Sequence, residues 1–180
     1  QQITFPMTAN YLNNNNDQEL KKLYKQTSLA LFIISGMLFI LLVVNLTDLY
    51  LLVPEEYRGG FWIVFIIGLA KVSEAILGNI NAIWYYSKHY KTVLVLGVLL
   101  AITTIVLNLW LIPRYGINGA AIATFTSLFM FNLIKVALVK KKFGYHPFSR
   151  ATLKVATILL VLGVAFWFVH FPFHPIVAIT

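Results

Sequence analysis

The sequence predicts an all-α protein, a polytopic bundle of transmembrane helices. Of its 180 residues, 59% are hydrophobic and only 11% are charged, whereas a soluble domain carries about 25% charged residues. Five apolar runs also have the length of about 20 residues that crosses a bilayer. Backbone groups find no water in hydrocarbon, so each run is expected to be an α-helix.

The predicted spans divide the chain into three parts. Residues 1–28 are expected to hold the end of a preceding span and a cytoplasmic loop with a short helix, and residues 171–180 begin a further segment. Between them lie five transmembrane helices, predicted at 29–53, 61–86, 92–112, 117–139 and 151–170. Proline and glycine, which break helices, occupy the connections. Both ends look cut, so we interpret the chain as a fragment of a longer protein.

The polar stretch before the first predicted span carries helix-start signals. Asn16 or Asp17 can cap a helix there. Glu19 would lie in its first turn, where a negative charge suits the helix dipole.

The distribution of Lys and Arg predicts which loops share a side of the membrane. Ten of these residues lie in or beside segments 13–25, 87–91 and 140–150, and two lie in segments 54–60 and 113–116. Cytoplasmic loops are the ones enriched in Lys and Arg. The first three segments are therefore expected in the cytoplasm and the other two outside.

The second predicted span contains ionisable residues near its middle, where charge is costly. On a continuous helix, Lys71, Glu74, Gly78, Asn81 and Tyr85 would form one stripe. One interpretation is a helix that lines a water-filled cavity. The other is a Lys–Glu pair buried against a neighbouring helix as structural glue.

Three other polar residues fall within predicted spans. Asp48 is expected to face the interfacial headgroups, with a cation or proton site as the alternative. Asn108 is expected to bridge helices. Lys135 is expected to snorkel toward the cytoplasmic surface.

The connection between the third and fourth spans is the most distinctive local feature. Pro113 and Gly116 predict a tight hairpin. Small residues then repeat every four positions, in one series as Gly116, Ala120 and Thr124 and in another as Gly119 and Ala123. Such faces let helices approach closely, so the motif predicts packing.

Several function classes lack their signatures. The chain has no cysteine, P-loop, nucleophile elbow or His-Glu-x-x-His pair, and its four histidines are scattered. We therefore expect no enzyme activity, no metal site and no cofactor. The net charge of +8 comes largely from short loops, which fits anionic lipid headgroups better than nucleic acid.

The hairpin resembles a motif of the polysaccharide-transport branch of the multidrug/oligosaccharidyl-lipid/polysaccharide exporter superfamily, to which the O-antigen and capsule repeat-unit flippases belong. Members commonly show N-x-x-L-I-P-x-x-G-I-x-G-A-A-x-A-T, and the matching residues here are Asn108, 111–113, 116–117 and 119–124. Phe5, Pro6 and segment 17–25 resemble the cytoplasmic loop of the C-terminal half. In segment 54–60 the family's tyrosine is present, but the glycine before it is not.

The resemblance implies part of the C-terminal lobe of a MATE-like two-lobe transporter in a bacterial inner membrane. The complete protein would flip undecaprenyl-diphosphate-linked oligosaccharides by alternating access, with membrane lipid, this substrate and a missing N-terminal lobe as partners. Cationic cavity residues, Lys71 first, would meet the diphosphate and sugar acids. The alternatives are a MATE-type cation-coupled small-molecule antiporter and a polytopic glycosyltransferase or polymerase subunit.

Overall fold

A computed structural model of the chain describes residues 3–51 and 60–168, and all regular secondary structure in these residues is helical. This confirms the predicted fold class at the level of secondary structure. The helices are α1 (Thr4–Asn13), α2 (Asp17–Val44), α3 (Leu46–Leu51), α4 (Phe61–Ala75), α5 (Ile80–Tyr86), α6 (Tyr90–Phe143) and α7 (Arg150–Phe168).

Two of these helices, α2 and α6, are long and apolar enough to cross a membrane. They have 28 and 54 residues. Helices α4 and α5 together would form a third span if the pair crosses the membrane as one unit. This span would be broken, because the two helices are bent by 52° where they meet. The described residues thus indicate a membrane protein, while the division into five spans stays a prediction.

Helix α2 begins as predicted but replaces two expected elements. The Asn16 side chain accepts a hydrogen bond from the Glu19 backbone N–H at 3.3 Å, which confirms the cap. From there one helix runs without a break to Val44. The sequence predicted two elements in this region, a short helix followed by a span over 29–53. Buried residues recur at helical spacing from Leu20 to Gly36. One continuous face therefore packs into the bundle, which stabilises a single helix across the predicted boundary.

Helix α6 is a helical hairpin with two arms, residues 90–115 and 117–143. Lys142 Nζ lies 3.4 Å from Thr92 Oγ1, although a straight helix would separate them by roughly 75 Å. Gly116 makes the turn with φ 58° and ψ −140°, a conformation that suits glycine. The first arm continues through Pro113 to this point, so the turn is tighter than the predicted loop over 113–116.

Close approach at the turn depends on the absence of a side chain at Gly119. A Cβ there would lie 2.6 Å from the Leu111 carbonyl carbon and 3.0 Å from Ile112 N. Ala123, one turn later, is completely buried, while Ala120 is half-buried. Of the two small-residue series, the one through Gly119 and Ala123 is therefore the one that packs closely.

Helix α2 packs against both α4 and α7, and α4 also packs against α6. Phe39 of α2 and Phe65 of α4 have ring centroids 5.5 Å apart. The bundle is thus held by contacts between helices that are distant in the sequence, such as α2 and α7, as well as between near neighbours.

The three segments expected in the cytoplasm meet at one end of the bundle. Tyr145 donates a hydrogen bond to Asp17, and the His89 and Phe143 rings pack edge to face with centroids 6.0 Å apart. Burial, together with the hydrogen bond to Asp17, raises the pKa of Tyr145, so its phenol stays protonated as a donor. Segments 13–25, 87–91 and 140–150 therefore share an end, while the side of the membrane stays a prediction.

Gly119→Ala is expected to lower the free energy of unfolding by about 1–3 kcal/mol, because the new methyl overlaps backbone that cannot rotate away. Thermal unfolding in detergent measures this change. Gly97→Ala is the matched control, since a Cβ there meets nothing within 4 Å. Equal melting temperatures for the two variants would contradict the close approach at the turn.

Single cysteines can test the sidedness, because the natural chain has none. We expect Lys22→Cys, Lys88→Cys and Lys141→Cys to react with a membrane-impermeant maleimide from the same side of the membrane. Tyr115→Cys, at the α6 turn, should react from the opposite side. Labelling of Tyr115→Cys from the side that labels Lys141→Cys would rule out the arrangement.

Candidate functional site

A cavity of about 290 Å³ lies where α2, α4, α5 and the second arm of α6 meet. Its volume is close to the lower limit of about 300 Å³ for small-molecule sites. Its charged and amide-bearing lining residues are Lys71, Glu74, Asn81, Asn132 and Lys135. Four of the predicted stripe residues, Lys71, Glu74, Gly78 and Asn81, therefore share one cavity.

Lys71 and Glu74 form an ion pair within α4. Lys71 Nζ lies 3.0 Å from Glu74 Oε2, with 68% and 45% of the two side chains exposed. Exposed pairs at this spacing stabilise a helix by only about 0.2–0.5 kcal/mol. The pair is not buried against another helix of the described chain, so the structural-glue interpretation has no support from its contacts.

The expectation that Lys135 snorkels to the surface is wrong. Lys135 is only 8% exposed, and its Nζ donates a hydrogen bond to Asn81 Oδ1 at 2.9 Å. Nζ also lies 4.3 Å from the centroid of the Phe131 ring. The physical reason is that Phe131, Asn132, Lys135 and Val139 form one buried face, which turns the ammonium toward α5.

The buried ammonium has no carboxylate at ion-pair distance among residues 3–51 and 60–168. Glu74 attracts it electrostatically without a direct contact, and the Glu74 carboxylate is paired with Lys71. One turn earlier on the same arm, Asn132 is 5% exposed and its amide nitrogen has no hydrogen-bond partner. With two lysines and one glutamate, the cavity carries one uncompensated positive charge, and burying such a charge is costly.

A break between α4 and α5 shapes this cavity. Gly78 has φ +59°, and it sits so close to α2 that a Cβ would lie 2.7 Å from Ser28 N. Ser28 Oγ donates to the Ile76 carbonyl, which the break leaves without its helical partner. Asn79 Nδ2 donates to Thr8 Oγ1 at 2.7 Å, so α1 and α2 both hold the break in place.

The break corrects the prediction of one straight stripe along a helix over 61–86. Lys71 and Glu74 lie on α4 and Asn81 on α5, and the bend lets both helices face the cavity. Tyr85, the last member of the stripe, is 53% exposed and does not line the cavity. The missed signal was the Gly78–Asn79 dipeptide, a turn sequence within an apolar run.

Two other predicted residues take no part in the cavity. Asn108 does not form the expected bridge, since its amide oxygen has no partner in the described chain. That oxygen is buried, as is Leu111 one turn later, whereas Ile105 and Ile112 are exposed. The side chain of Asp48, like His170 and His174, lies outside the described residues.

The comparison with known proteins adds no relative: no family model, no curated protein and no solved structure matches this chain. The chemistry of the cavity must therefore be judged from its own groups. Ammonium and amide nitrogens donate hydrogen bonds, and the Glu74 carboxylate accepts them. Such a set can bind oxyanions and hydroxyl groups.

The polar contacts at the break can be tested with Asn79→Ala. Asn79 is 2% exposed and its Oδ1 lies 3.1 Å from Thr27 Oγ1, so its loss also leaves the Thr8 hydroxyl without a donor. We expect the free energy of unfolding to fall by about 1–3 kcal/mol, measured by thermal unfolding in detergent. Asn108→Ala, which removes an oxygen without a partner, should change it much less. A smaller effect for Asn79→Ala than for Asn108→Ala would contradict this role.

Proposed function

We propose that this chain belongs to the C-terminal lobe of a flippase that moves undecaprenyl-diphosphate-linked oligosaccharide across a bacterial inner membrane by alternating access. The observation that supports it is the uncompensated positive charge of a cavity inside a helical, apolar bundle. Charge at membrane depth is costly and is kept where it serves a substrate or ion pathway. The hairpin motif and the cytoplasmic-loop motif favour the same family.

The broken span supports transport over a purely structural role. Irregular backbone at membrane depth is tolerated where it is buried in protein or lines a cavity. Transporters place discontinuous helices of this kind at their binding sites. The break at residues 76–79 borders the charged cavity through Leu77 and Gly78, so both features belong to one site.

The substrate offers groups that match the cavity. A diphosphate or an acidic sugar is an oxyanion for the lysines, and sugar hydroxyls can donate to Glu74. The cavity holds one such group and not a whole oligosaccharide, so the rest of the substrate would lie against the N-terminal lobe. The first arm of α6 exposes Val98, Ile102 and Ile105, which fit acyl chains.

The rival function is a cation-coupled small-molecule antiporter of the same architecture. Glu74 favours it, since its carboxylate lines the cavity and is 45% exposed. The net positive charge of the cavity disfavours it, because a cationic drug would be repelled. The sign of the transported charge therefore separates the two functions.

Reversing the charge of the cavity tests the proposal. In proteoliposomes containing the full-length protein, Lys71→Glu is expected to slow the flipping of a fluorescent undecaprenyl-diphosphate oligosaccharide about tenfold or more. Two unit charges about 10 Å apart interact by roughly 1.7 kcal/mol at an effective dielectric constant of 20. Lys154→Glu, the same charge change on an exposed position of α7, is the control and should flip at the normal rate.

Failure of the unmodified protein to flip the lipid-linked oligosaccharide would refute the proposed function. Export of a cationic dye that Lys71→Glu accelerates and Glu74→Lys abolishes would establish the antiporter instead.

A further inference from the structure

Lys135 differs from the other cation of the cavity in what surrounds it. Lys71 is exposed and already holds a carboxylate. Lys135 is buried, and its hydrogen-bond acceptor is the neutral oxygen of Asn81. An ammonium has three donors and strongly favours an anionic partner. The unmet demand for a negative charge is therefore greatest at Lys135.

Asn132 adds a second, independent observation at the same wall. It lies three residues before Lys135 on the second arm of α6, so the two side chains are neighbours on one helix face. It lines the cavity, only 5% of it is exposed, and its amide nitrogen has no hydrogen-bond partner. Buried polar atoms are normally hydrogen-bonded. A donor without an acceptor thus stands beside a cation without a counter-ion.

We propose that Lys135 and Asn132 form an oxyanion subsite, which binds one phosphate of the lipid carrier or one carboxylate of an acidic sugar. The inference rests on the proposed function for the identity of the ligand, while anion binding itself is measured without transport. Lys71 and Glu74 stand at the exposed side of the same cavity and meet the neighbouring hydroxyl groups. The sequence pointed to Lys71 as the main anion contact, and the burial of Lys135 moves that role to the second arm of α6.

The surroundings of the subsite favour an oxyanion over a neutral ligand. A ligand with one negative charge brings the net charge of Lys71, Glu74, Lys135 and itself to zero. The Phe131 ring, 4.3 Å from Nζ, stabilises the ammonium but supplies no negative charge. A neutral sugar would leave the cavity with its positive charge.

Anion binding can be measured on the full-length protein in detergent by titration calorimetry and thermal unfolding. The probes are inorganic diphosphate and glucuronate, with chloride at equal ionic strength as the reference. We expect at least one probe to bind and to raise the melting temperature, and the tighter of the two identifies the source as carrier phosphate or sugar acid. Binding of neither probe above the chloride reference would overturn the proposal.

Variants of Lys135 locate the site. Lys135→Gln should weaken binding of the effective probe at least tenfold, Lys135→Arg should restore most of it, and Lys71→Gln should weaken it less than Lys135→Gln does. Lys154→Gln removes an exposed cation of α7 and should bind as the unmodified protein does. Unchanged affinity in Lys135→Gln contradicts the proposal.

Asn132→Asp gives a test that holds even if the Lys135→Gln variant fails to fold. The new carboxylate supplies the missing negative charge from within the chain, so the melting temperature should rise while the affinity for the anion falls at least tenfold. A lower melting temperature with unchanged affinity would count against the subsite.

The two proposals fail in different ways. If the protein flips the oligosaccharide but its anion affinity does not depend on Lys135, the subsite is refuted and the flippase proposal stands. If anion affinity depends on Lys135 but the protein does not flip the oligosaccharide, the flippase proposal is refuted and the subsite stands.

Discussion

The constraint on which the rest of the structure depends is the need to satisfy backbone groups at the break between α4 and α5. Inside an apolar bundle no bulk water is available to pair them. The Ser28 hydroxyl donates a hydrogen bond to the carbonyl of Ile76. The Asn79 side chain donates to Thr8 of α1 and accepts from Thr27 of α2. These contacts let the chain bend by 52° in an apolar environment. They also fix α5 at the angle from which Asn81 meets Lys135.

The bend and the cavity are two aspects of one arrangement. A straight helix would have carried Asn81 and Tyr85 along the line of Lys71 and Glu74. In the structure, α5 turns so that Asn81 lies against the second arm of α6, and Tyr85 points away from the cavity. The α6 hairpin supplies the other wall, because the turn at Gly116 returns the chain to the same end of the bundle. Neither element alone would enclose a charged site.

Electrostatics then distinguishes the two lysines. Lys71 is paired and exposed, which makes its charge inexpensive to hold. Lys135 is buried beside Asn81, Asn132 and Phe131, where no carboxylate of the described chain reaches it. A buried charge held by neutral groups lowers stability, and ionisable residues that are kept at membrane depth despite this cost mark functional sites. This difference, rather than the number of cations, is why we propose that the anion binds at Lys135.

The sequence by itself determined the helical class, a helix start at Asn16 or Asp17, the turn near Gly116, and the association of Lys71, Glu74 and Asn81, although it placed these three on one straight helix. These follow from composition, breaker residues and helical periodicity, which act over short stretches of chain. Only the tertiary structure decided that the turn sequence at Gly78 and Asn79 breaks the helix, that Lys135 points inward and that Asn132 is buried without a partner. The first two depend on partners that lie about 50 or more residues away along the chain, Ser28 for Ile76 and Asn81 for Lys135, and the third depends on the burial of an amide that finds no partner. Periodicity within one helix carries no information about which distant side chain will satisfy a buried polar group.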